Sequence, residues 1–270
     1  MKICKALLAS ASIMLTMTAS AGSGGGGGKG SHLPRTEGAD LLPGAGRDGL
    51  RQVVQNQCLQ NWRQHHDPSP CERIWLSSPQ PGSPGYAVLE DRKGGAHYIL
   101  IPLQTFSGTE SGELLDPDLP NYFAQAWNVR DLLDKYVGHA VPRTAVGLAL
   151  NTARTRDQDQ FHLHIECLRP EVFEALHAAA VQISTKWSPI TVIGSTYQAM
   201  RISDANLEST RPFELVAQLS PEARHHLETY TVLIAGMQYP EGAGFVILTS
   251  TGPTAELLLD PGCTVAGGGS

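Results

Sequence analysis

Residues 160–168 restrict the fold more than any other part of the chain. Apolar Phe161, Leu163 and Ile165 alternate with polar Gln160, His162, His164 and Glu166. A period of two sends alternate side chains to opposite faces of a β-strand. The stretch therefore predicts a strand with one buried face and one polar face turned elsewhere. That polar face carries two imidazoles one strand repeat apart, roughly 6–7 Å, flanked by a carboxylate and an amide. Histidine is suited to nucleophilic and proton-transfer work near neutral pH, so the strand points to a reactive cleft.

The flanking sequence supplies a sheet for such a strand. Residues 86–90 and 97–102 read as strands joined by a hairpin turn over 91–95, and 146–150 as a third strand. Apolar periodicity predicts helices over 50–64, from a cap at Asp118 or Asn121 to 137, and over 171–181. Further on, 191–193, 197–202, 213–217 and 245–249 read as strands and 221–236 as a helix. The expected fold is α+β: an antiparallel sheet with packed helices, extended by a C-terminal α+β half.

The ends of the chain read differently. Lys2 and Lys5 precede an apolar segment to Met17, and Ala19, Ser20 and Ala21 form a small-residue cleavage site. Residues 1–21 thus read as a signal peptide or a membrane anchor. Residues 22–49 are Gly/Ser-rich, then Pro/Gly-rich, and read as a disordered linker. A folded body over 50–264 and a flexible tail over 265–270 complete the organisation. Export makes disulfides available to Cys58, Cys71, Cys167 and Cys263. Three pairings are formally possible; closeness in sequence favours Cys58 with Cys71, leaving Cys167 with Cys263. The net charge of −6 and the lack of any basic run argue against a nucleic-acid partner.

Two chemistries fit the histidine strand. The first is a metal site, with His162, His164 and Glu166 as ligands of an exported zinc-binding module. It needs further ligands; His97, His139 and His177 are candidates that no spacing recommends. The second is covalent catalysis at phosphorus, where a neutral imidazole displaces a leaving phosphate and water cleaves the phosphoramidate. That route needs donors for the non-bridging oxygens, and Asn151, Gln158 and Gln160 lie close in sequence.

Asn151, Gln158 and the run from His162 to Ile165 resemble the active-site segment of the histidine-triad superfamily of nucleotide hydrolases and transferases. The strand that ends at Pro102 is similar to the one preceding that segment in the superfamily. On this resemblance the middle histidine, His164, is the nucleophile, and His162 supports it. Glu166 stands where a third histidine is expected, so its role is open, with orientation of an imidazole as one option. The longer pattern is closer still: residues 58–62, Gln158 through Cys167, and Leu168, Arg169 and Pro170 directly after. It resembles the bacterial CDP-diacylglycerol pyrophosphatase family. The resemblance implies hydrolysis of CDP-diacylglycerol to CMP and phosphatidate through a nucleotidyl-histidine intermediate, with no metal or organic cofactor. It also implies a periplasmic body at the inner-membrane surface and no stable protein partner that can be inferred. A superfamily enzyme acting on soluble nucleotides is the nearest alternative.

Overall fold

The computed structural model describes residues 46–91, 94–252 and 254–267. The 1–21 segment and nearly all of the 22–49 linker lie outside the described residues, as do 268–270 of the tail. Chain order begins with a 3-10 turn, Gly46–Asp48, and helix α1, Gly49–Val53. Residues 46–49 were expected to end the linker, with a helix from 50 onward. They fold because the Arg47 guanidinium donates to both Asp159 carboxylate oxygens at 2.8 Å. A π-turn over Val54–Cys58 joins α1 to α2, Leu59–His65. At the other end Val265 and Ala266, expected to start the flexible tail, belong to a 3-10 turn over Thr264–Ala266 with Ala266 buried.

Strands β1 (Arg73–Leu76), β2 (Gly85–Glu90) and β3 (Tyr98–Pro102) come next. Helices α3 (Tyr122–Asn128) and α4 (Leu132–Val137) replace the single helix expected there. Asn121 caps α3 as foreseen, its side chain accepting from the Ala124 N–H at 3.1 Å. The break follows because the Arg130 guanidinium takes the Trp127 carbonyl at 2.8 Å, satisfying the end of α3 from a side chain. Strands β4 (Val146–Leu150) and β5 (Leu163–Leu168) lead to helix α5 (Pro170–Ala179). The histidine strand is shorter than its sequence pattern because the Phe161 N–H bonds the Phe106 carbonyl at 2.8 Å, outside the ladder.

The C-terminal half holds β6 (Ser188–Val192), β7 (Ser195–Ser203), α6 (Pro212–Ala217), α7 (Pro221–His225), β8 (Thr231–Tyr239), β9 (Gly242–Ser250) and β10 (Leu259–Asp260). Three expectations change here. Ile193 and Gly194 carry φ of 41° and 77°, so they turn the β6–β7 hairpin rather than extend a strand. Residues 213–217 are helical: Pro212 starts α6, and Phe213, Val216 and Ala217 bury one helical face. The helix expected over 221–236 stops at His225, and β8 takes over because Val232 and Ile234 fill a central strand.

All ten strands join one antiparallel sheet, in the order β1-β2-β3-β5-β4-β8-β9-β7-β6, with β10 pairing on β5. The C-terminal half thus extends the same sheet from β4. One sheet face packs Leu100, Leu148, Leu163, Ile165 and Ile234 against α3, α4 and α6. The other face carries two apolar clusters. Ile99, Ile101 and Leu89 lie with α1 and α2, while Ala149, Leu168 and Leu233 lie with α5. In the register His164 stands opposite Ile99 on β3 and Ala149 on β4, so it falls between these two clusters.

Both favoured disulfides are present. Cys58–Cys71 closes the first helix onto the following loop. Cys167–Cys263 spans 96 residues and ties the C-terminal segment to β5. No helix among the described residues is long and apolar enough to cross a membrane. Replacing Cys167 and Cys263 together with alanine is expected to lower unfolding free energy by about 2–5 kcal/mol, measured by urea denaturation under oxidising conditions.

Candidate active site

β5 is hydrogen-bonded on both sides, by β3 and by β4, and both its faces are covered. His162, His164 and Glu166 are each at most 4% exposed. The polar face is therefore buried rather than open, and its side chains pair with one another and with main-chain carbonyls, the Gln160 Oε1 atom alone among them lacking a hydrogen-bond partner.

His97, just before β3, lies one step beyond the Tyr98–Ile165 pair and so faces Glu166. Its Nε2 is 3.0 Å from the Glu166 carboxylate, 3.1 Å from Nδ1 of His164 and 3.8 Å from Asp91. The Asp91 N–H also donates to the His97 carbonyl. His164 Nδ1 lies 3.5 Å from Glu256 and 3.9 Å from Glu166. Glu256 comes from the 3-10 turn Ala255–Leu258, which the C-terminal segment lays beside the end of β4.

Asn151 follows β4 directly and holds that turn. Its Oδ1 accepts from the Ala255 and Glu256 N–H groups at 3.1 and 3.4 Å and from the Thr254 hydroxyl. This fixes the amide orientation, so Nδ2 donates to Glu256 at 2.6 Å and lies 3.4 Å from His164 Nε2. A donor facing Nε2 assigns the lone pair to that nitrogen. The ring proton then sits on Nδ1, toward His97 and the carboxylates.

His162 lies against His164, with ring centroids 5.1 Å apart and planes at 71°. Its Nδ1 donates to the Gln160 carbonyl at 2.7 Å, which leaves Nε2 unprotonated. Burial holds this imidazole below its ordinary pKa, the Gln160 bond opposing only in part. His162 is therefore neutral at pH 7.

The remaining candidates are committed elsewhere. Gln158 accepts from the Leu50 N–H at 3.0 Å and donates to the Gly46 carbonyl at 3.4 Å, anchoring the start of α1. Both Gln160 amide protons go to main-chain carbonyls, of Gln104 at 2.9 Å and Pro102 at 3.3 Å. These contacts suit positioning of the loop rather than donation to a phosphate. Arg156 is locked between Glu110, Asp159 and the Gln158 carbonyl.

Four residues could hold a metal: ligand atoms of His97, His164, Glu166 and Glu256 all lie within 4.8 Å of one another. His162 is not among them. The sequence reading missed Glu256 altogether and had no reason to prefer His97. The one available signal for His97 was its place on the same strand face as Ile99 and Ile101.

The site thus sets two imidazoles beside an oriented amide donor, with carboxylates on the far side of the His164 ring. Comparison with known proteins defines it further. The family model described as CDP-diacylglycerol pyrophosphatase matches residues 45–267, more than four-fifths of the chain. The chain belongs to that family, whose members are hydrolases of the pyrophosphate bond of CDP-diacylglycerol.

The depressed pKa of His162 makes a stability prediction. Its stabilising contribution is complete above the unfolded histidine pKa of about 6.5 and is lost as pH falls from there through the folded value. Between pH 7.5 and 5 the wild type should therefore lose more unfolding free energy than His162→Gln. Urea melts at both pH values measure the difference.

Proposed function

We propose that the chain cleaves CDP-diacylglycerol into CMP and phosphatidate through a nucleotidyl-histidine intermediate on His164, within a histidine-triad-like fold. The observation that carries this reading is the setting of the His164 ring. Its Nδ1 faces His97, Glu256 and Glu166 at 3.1–3.9 Å, and its Nε2 faces the Asn151 amide.

In the first step Nε2 attacks the nucleotide α-phosphorus, and the bond to the bridging oxygen breaks. Phosphatidate leaves as an anion and needs no proton. The ring keeps its Nδ1 proton and becomes a cation, which the Glu166 and Glu256 carboxylates offset. Asn151 Nδ2, beside the attacking nitrogen, is placed to donate to a non-bridging oxygen as charge builds on it. In the second step water adds to phosphorus, the N–P bond breaks and CMP leaves. The neutral His162, with its Nε2 unprotonated, takes the proton from that water. Glu166 thus acquires a role that its position in the sequence left open.

A second assignment, attack by His162, is favoured by the Nδ1 bond to Gln160 at 2.7 Å, which also leaves a nucleophilic Nε2. Mapping of the adduct separates the two. Substrate labelled at the α-phosphate should leave acid-labile label on wild type and none on His164→Ala. Label retained on His164→Ala and lost from His162→Ala would transfer the role to His162. Asn151→Ala should lower kcat by about 10²–10³-fold, with its folded state checked by circular dichroism because Asn151 also holds the 254–256 turn. CMP release from CDP-diacylglycerol, compared with cleavage of a soluble dinucleotide, tests the substrate; cleavage of the dinucleotide alone would favour a soluble nucleotide.

The place of action we propose is the periplasmic face of the inner membrane. It rests on the sequence of residues 1–21 and on the lipid nature of the family's substrate.

A further inference from the structure

We propose that His97, His164, Glu166 and Glu256 form a binding site for a divalent transition metal of the zinc class, and that the metal switches the enzyme off. The second half rests on His164 acting as nucleophile; the first does not.

The geometry suits a four-coordinate ion. With metal–ligand bonds of about 2.0–2.2 Å, two ligand atoms of a tetrahedron lie about 3.3–3.6 Å apart. Here His97 Nε2 is 3.1 Å from His164 Nδ1 and 3.0 Å from Glu166, while His164 Nδ1 is 3.5 Å from Glu256 and 3.9 Å from Glu166. An ion would enter these pairs with shifts of a few tenths of an ångström and would draw the wider pairs, within 4.8 Å of one another, closer by a larger movement. Charge favours it as well. Three of the four residues are buried, and Glu256 is partly so. Two carboxylates with two neutral imidazoles balance one divalent cation, so the bound ion would leave the buried site neutral. Mixed imidazole and carboxylate ligands favour zinc and its neighbours over calcium or magnesium, which take oxygen.

The ligand atom on His164 is Nδ1, and this decides the consequence. Coordination needs the lone pair on Nδ1, so the ring proton moves to Nε2. A protonated Nε2 has no lone pair for phosphorus, and no bond to the nucleotide can form. Metal and substrate chemistry therefore exclude each other through one proton, although the metal need not touch the lipid nucleotide.

The test uses the full chain freed of metal by chelator dialysis and titrated with Co²⁺, whose visible d–d bands report four-coordinate ligation. One equivalent should bind with intense bands. Glu256→Gln and His97→Gln should each weaken binding by more than the about 10–100-fold of an outer-shell change, whereas His162→Gln should keep the spectrum. Zn²⁺ should displace Co²⁺, reduce CMP release in proportion to occupancy and be reversed by chelator. Absence of the bands, or binding unchanged in both ligand variants as at the exposed His65 and His66, would overturn the site. Chelator that abolishes wild-type activity, with metal restoring it, would overturn the inhibition. Metal binding as expected without any adduct on His164 would leave the site standing and remove only the switch.

Discussion

β5 lies in the interior of a sheet whose two faces are both covered, and the rest of the site follows from that constraint. A strand of this kind has no solvent on which to spend polar side chains. His164 and Glu166 must therefore find partners within reach, and the neighbouring strands decide which. β3 brings the preceding His97 to Glu166 at 3.0 Å, and Asn151, directly after β4, lies beside His164. Unsatisfied, each such group would cost about 1–3 kcal/mol. Satisfied, they form a rigid constellation with assigned tautomers, which is the preorganisation that catalysis at phosphorus requires.

The C-terminal segment completes this arrangement from a distance of some ninety residues in sequence. β10 pairs Asp260 with Cys167, and the Cys167–Cys263 bond secures the segment one residue away from Glu166. Just upstream, Asn151 takes the main-chain N–H groups of Ala255 and Glu256. One amide thus performs two tasks: its oxygen holds the turn that delivers Glu256, and its nitrogen faces the His164 ring. Close packing seals the same junction. A methyl group on Gly147, which pairs with Glu166, would meet Leu259 at 2.6 Å and Leu168 at 2.8 Å, so the absence of a side chain there lets β10 approach.

What could be read from the sequence was local. Alternation marked β5, and a turn over 91–95 marked β2 and β3; a cap and a proline marked the starts of α3 and α5; and spacing favoured the disulfide pairs that form. What could not be read depended on which strands meet. No periodicity indicates that β3 rather than β2 lies beside β5, so His97 carried no spacing that linked it to His164. Glu256 sits in an irregular turn whose position is set by Asn151 and a disulfide, both remote in sequence. β8 was mistaken for a continued helix because its both-sided burial removes the alternation that marks a half-exposed strand. Gln158 and Gln160 were in the expected place, yet the loop turns their amides onto the main chain.

Glu166 is where sequence and structure meet most informatively. A carboxylate at the third position of a histidine motif looks hostile to a phosphate ligand, because two negative groups would repel in a buried site. The structure brings a histidine into that position's surroundings from just before β3. His97 lies 3.0 Å from the carboxylate and 3.1 Å from His164, so a third imidazole is present although the strand carries only two. The negative charge then lies on the side of His97 and His164 Nδ1, whereas the Asn151 amide marks the side of Nε2. An anion behind a nucleophilic ring favours its cationic, nucleotidylated form. On the proposed reading, the third imidazole comes from His97, just before β3, and Glu166 adds a counter-charge to the proposed intermediate.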